Sequence, residues 1–197
     1  MKIITDNPKR EQLQEIIEQT YSKIFGSLPN HIEQIEILSR DRYVKRYKEI
    51  ENKLPLKDCH GACYVHQKNG NYQILLEDFK EIEKTAALVG HEIGHTLKPN
   101  LSNITRLAIL EEAKAYSFQK LWAEHIAKYN IGGIGAEIVD SSESLISSGL
   151  KGQKFRYLSI QLVNKFDHNC PGRLYRFLDH LASDAYSIYS TISGKKK

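Results

Sequence analysis

The chain has 197 residues, of which 41% are hydrophobic and 26% charged, and it carries a net charge of +4. That is enough apolar material to bury a real core in one domain without disulfide staples, in an ordinary soluble composition. Lys and Arg are interleaved with Glu, as in Lys9-Arg10-Glu11 and Lys80-Glu81-Ile82-Glu83-Lys84, which argues against a nucleic-acid partner.

The N-terminus reads Met1-Lys2-Ile3-Ile4-Thr5-Asp6 and reaches acidic residues too early for a secretory signal. A first helix is predicted from Asp6 or Asn7, with Pro8 in its first turn, to a stop at Gly26. Its apolar stripe of Leu13, Ile16, Ile17, Tyr21 and Ile24 keeps the 3.6-residue period. Ile32 to Leu38 reads as a strand, whereas Asp41 to Asn52 fits strand or helix. Residues 62–67 and 72–77 read as a hairpin around Lys68-Asn69-Gly70-Asn71, because Asn-Gly accepts the positive φ of a tight turn. Everything beyond is expected to be helical: 79–97, 102–129 up to the break at Gly132-Gly133, then 142–148, 154–166 and 173–192. Lys195-Lys196-Lys197 form a basic tail. The expected fold class is α+β, a mainly helical domain over residues 1–194 with a small antiparallel or mixed sheet near its N-terminus. Within it, the first helix and sheet run to about residue 78, the active-site helices over 79–130 and further helices over 137–192.

The informative stretch is Leu88-Val89-Gly90-His91-Glu92-Ile93-Gly94-His95-Thr96-Leu97. Histidines four apart on a helix share one face, one turn apart, and suit two neighbouring positions around a tetrahedral ion with bonds of about 2 Å. Glu92 leaves the helix near the same edge and can take a proton from water activated by the ion. Gly94 costs a helix about 1 kcal/mol relative to alanine, a cost more readily kept where another segment approaches the backbone closely. Catalytic zinc takes three protein ligands. No histidine follows at the fourth position after His95, where Pro99 stands, so the third ligand is sought in Glu111-Glu112-Ala113-Lys114-Ala115. On a helical wheel both Glu111 and Glu112 flank the face of Ala108, Ala115, Trp122 and Ile126, and geometry alone does not choose between them.

His-Glu-x-x-His with a ligand glutamate on a second helix resembles the gluzincin metallopeptidases, such as thermolysin and the very small minigluzincins. Glu111-Glu112-Ala113-Lys114-Ala115 also resembles the Glu-Glu-x-x-Ala element of dipeptidyl peptidase III. The resemblance spans residues 88–118. It implies a zincin-like fold, one catalytic Zn2+ on His91, His95 and Glu112, Glu92 as general base, and Glu111 supporting a ligand histidine. The sequence departs from the group at Tyr116, where several families place an acidic residue that orients the first histidine. Tyr157, His168, Arg173 and Tyr175 are candidates for the donor that stabilises a tetrahedral oxyanion. The strand at 62–67 is the candidate edge for substrate backbone.

Cys59, His60, Cys63 and His66 offer a different metal set, a structural zinc knuckle, although their spacing matches no standard finger. Cys63 could instead complete the His91–His95 site, as in peptide deformylases, though the Gly-Cys-Leu pattern of that family is absent. Buried thiols without a ligand role are the plainer alternative. Three cysteines, an odd count, do not suggest a secreted disulfide framework, and no apolar run reaches the roughly 20 residues needed to cross a bilayer. The expectation is a cytoplasmic zinc peptidase acting on a peptide or protein substrate, with no membrane partner. A non-catalytic zinc-bearing regulatory protein is the alternative.

Overall fold

The structure, a computed structural model, describes residues 1–51, 63–68, 71–97 and 108–149; at 51, 63–68, 108–111, 113, 114 and 149 it describes the backbone only. The expected helices at 154–166 and 173–192 lie outside these residues. The described elements run β1 (Lys2–Thr5), α1 (Arg10–Phe25), β2 (Ile32–Leu38), α2 (Arg40–Glu51), β3 (Cys63–Lys68), β4 (Asn71–Glu77), α3 (Ile82–Thr96), α4 (Ala108–Tyr129), a 3-10 turn (Ile131–Gly133) and α5 (Ile138–Gly149). This is an α+β arrangement in which helices dominate. None of the described helices is long and apolar enough to cross a membrane.

The α1 stripe is buried as its period demands: Leu13, Ile16, Ile17, Tyr21 and Ile24 all enter the core. Gly26 closes the helix in the left-handed conformation (φ 80°), donating its N–H to the Ser22 carbonyl at 2.8 Å. The start falls later than the sequence suggested. Asn7 accepts the Lys9 N–H on its side-chain oxygen at 2.8 Å and spends the would-be first turn on a local Asx turn. At the other end of the helical region α3 is shortened likewise. Asp78 accepts the Lys80 N–H at 3.0 Å and Lys80 adopts φ 65°, so the helix begins at Ile82 rather than residue 79. The ambiguous segment after β2 is helical. Tyr43 and Val44, then Tyr47 and Ile50, recur at the three- to four-residue spacing of a helix face and pack with Leu38 and Leu75. The last described helix begins at Ile138, four residues before its expected start.

The sheet order is β1-β2-β4-β3. The hairpin forms, with β3 antiparallel to β4 and Lys68 opposite Asn71. Antiparallel pairing is confined to that edge, however: β1, β2 and β4 run parallel, so the sheet is mainly parallel and mixed only through β3, which corrects the antiparallel alternative. The reason is the connections. The helix α1 between β1 and β2 is a crossover that brings the chain back in the same direction, and after α2 the strand β3 runs opposite to β2, so the hairpin turn restores the direction of β2 in β4. The strand β1 was not anticipated; it has only four residues, and only Ile3 is buried in it.

One sheet face, through Ile3, Ile35, Ile37, Ile74 and Leu76, joins α1, α3 and α4 in the main core. The other face carries α2, whose Arg46 clamps the buried Glu36 with bonds of 2.9 Å from both Nε and Nη2. The core therefore lies between the sheet and α3, and α4 backs α3 from the far side.

Candidate metal centre

The site is built where α3 meets α4. In α3 almost every residue from Thr85 to Thr96 is buried, and Ala86, Ala87, Gly90 and Gly94 keep its surface low enough for close approach. A β-carbon on Gly90 would stand 2.6 Å from the Trp122 ring. One on Gly94 would stand 2.8 Å from the Ala115 α-carbon and 3.1 Å from its carbonyl oxygen. The helices are antiparallel, Gly94 meeting Ala115 and Gly90 meeting Trp122. The expectation that another segment crowds the Gly94 backbone is met, and that segment is the glutamate-bearing helix.

This crossing sets Glu112, one turn from Ala115, over the two histidines. His91 Nε2 and His95 Nε2 are 3.2 Å apart. Glu112 brings one carboxylate oxygen to 3.5 Å from His91 Nε2 and the other to 3.6 Å from His95 Nε2. Adjacent ligands of a tetrahedral ion with bonds of 2.0–2.1 Å lie about 3.3 Å apart, so these separations fit such an ion without rearrangement of the backbone. His91, Glu92 and His95 also place ligand atoms within 4.8 Å of one another, a group that could hold a metal ion.

Burial grades across the site. His91 (7% exposed) and Glu92 (5%) are sealed, while the side chains of His95 (17%) and Glu112 (39%) reach solvent. The centre therefore opens on the His95–Glu112 side. Burial pushes the Glu112 carboxyl up, but the hydrogen bond with His91 and the charges of His91 and His95 outweigh it, leaving its pKa below the ordinary carboxylate value. An ionised Glu112 facing two imidazoles is a donor set of mixed nitrogen and oxygen character, of the kind zinc takes.

Of the alternatives left open by the sequence, Glu112 is the acid that the structure sets beside both histidines; of Glu111 only the helical backbone is described. Tyr157, His168, Arg173 and Tyr175 lie outside the described residues, as do Cys59 and His60. Cys63 and His66 are described only as backbone in β3. One neighbour of the site was visible in the sequence only as a departure. Tyr116 packs its ring on His91 with centroids 4.5 Å apart, and its position four residues after Glu112 was the available signal.

Comparison of the chain with protein-family models, curated protein sequences and solved structures finds no match.

Proposed function

We propose that the chain is a zinc-dependent metallopeptidase of the gluzincin type, with His91, His95 and Glu112 as ligands and Glu92 as general base. The observation that carries this reading is the set of three separations, 3.2, 3.5 and 3.6 Å, among the two Nε2 atoms and the Glu112 carboxylate. Two donors come from consecutive turns of one helix and the third from its partner, so the arrangement is held by packing rather than by local chain geometry. A bound zinc would supply Lewis-acid polarisation of the scissile carbonyl and of water.

The residues do the rest. Glu92 follows His91 on the helix and stands within 4.8 Å of the imidazole nitrogens. Its carboxylate accepts a proton from the attacking water and returns it to the leaving amine. His91 and His95 act as neutral imidazoles that bind through Nε2. The partly exposed His95–Glu112 side admits substrate. The strand β3, whose neighbour in the described sheet is β4 alone, offers its outer edge to an extended peptide, beside α3.

The test is Glu92→Gln assayed on a peptide library together with zinc content. The variant is expected to keep its zinc and lose hydrolysis. Unchanged cleavage would refute the assigned base. Zinc bound by wild type with no cleavage of any peptide would favour the non-catalytic, regulatory alternative.

A further inference from the structure

The metal reading leaves open what aims the first histidine. A neutral imidazole that binds through Nε2 carries its proton on Nδ1. In His91 that atom is buried and has no hydrogen-bond partner among the described residues. The polar groups described around the ring, His95 and Glu112, face its Nε2, so none of them holds the Nδ1 side. Beside them the Tyr116 ring packs on the imidazole, 4.5 Å away centroid to centroid and inclined at 52°. Tyr116 is itself 8% exposed and is packed against Ile146 of α5.

We propose, on the basis of the metal site argued above, that Tyr116 is the positioning residue for His91, holding Nε2 toward the ion by ring packing, and that α5 forms part of the metal centre by wedging Tyr116 through Ile146. Hydrogen bonds commonly orient metal-bound histidines, and their loss costs metal affinity. Here an apolar contact carries that task, so the seating of α5 bears directly on how tightly the ion is held. The proposed chain runs Ile146, Tyr116, His91, ion, and its first two links are packed contacts between different helices.

The experiment titrates Zn2+ against a chelating dye, and records the visible spectrum of the Co2+ form, for wild type, Tyr116→Phe, Tyr116→Leu and Ile146→Ala. Circular dichroism of the metal-free proteins checks folding. Tyr116→Leu is expected to lose on the order of 10-fold in affinity and to shift the Co2+ bands. Tyr116→Phe keeps the ring and should stay within about twofold of wild type. Ile146→Ala should weaken binding in the same direction, by less. Unchanged affinity and spectrum in a folded Tyr116→Leu would overturn the proposal, as would a Tyr116→Phe that loses as much as leucine. If Tyr116→Leu does not fold, Ile146→Ala decides, and wild-type affinity there overturns it. A wild type that takes up no ion would sink the metal reading itself, whereas a binding wild type with indifferent variants would sink this inference alone.

Discussion

Replacing Gly94 by alanine probes whether the helix crossing sets the metal geometry. The added β-carbon would lie 2.8 Å from the Ala115 α-carbon, about 0.6 Å short of the 3.4 Å at which ordinary contact begins. Because the obstruction is backbone, no rotamer change relieves it, and α4 must withdraw by a comparable amount. Overpacking of this kind costs about 1–3 kcal/mol, offset by the roughly 1 kcal/mol that alanine gains over glycine in a helix. The net loss of stability is then small, about 0–2 kcal/mol. The metal site is less forgiving: a shift near 0.6 Å at Ala115, carried to Glu112 one turn away, exceeds the ~0.2 Å tolerance of a well-formed site. Gly94→Ala is therefore expected to lose on the order of 10-fold or more in zinc affinity, measured by chelator competition, while unfolding close to wild type in urea without metal. Gly90→Ala provides the contrast, since its β-carbon meets the Trp122 side chain, farther along α4, and should cost stability more than affinity. Wild-type affinity in Gly94→Ala would refute the idea that this contact positions Glu112.

Glu92→Gln should lower turnover by about 10²- to 10⁴-fold, the range for loss of a general base, with zinc content unchanged. The stability of the fold should also depend on pH. Burial holds His125 below its ordinary value of 6.5, opposed by the hydrogen bond to the Leu121 carbonyl and reinforced by Lys128 and Lys23, and burial lowers His31 as well. The unfolded chain then binds these protons more readily than the folded one, so stability is full above about pH 6.5 and falls as the pH drops below it. Urea unfolding of His125→Gln should show a shallower decline between neutral and mildly acidic pH; a decline as steep as wild type would contradict the assignment.

The elements that could be read from sequence are those specified by local chemistry. The α1 stripe and Gly26 define a helix and its end, and the turn chemistry of Asn69-Gly70 in the sequence pointed to the antiparallel pair that β3 and β4 form. Parallel pairing of β1, β2 and β4 depends on partners more than thirty residues apart, and no periodicity within a strand reports it. Helix starts were displaced because the side chains of Asn7 and Asp78 capture nearby N–H groups, a competition that periodicity ignores. At the candidate site the two histidines and Glu92 were evident from spacing alone. Glu112 was not separable from Glu111, because both border the same helical face. What sets Glu112 over the histidines is the approach of Ala115 to Gly94, a contact between helices that neither segment encodes by itself.

The most direct measurement is an equilibrium zinc titration of wild type beside Glu112→Ala. One tight equivalent per chain is expected for wild type. The variant should lose at least about 100-fold, the upper end of what an outer partner costs, because a ligand itself is gone. Equal zinc binding by the two proteins, or no tight zinc in wild type, would contradict a metal centre shared between α3 and α4.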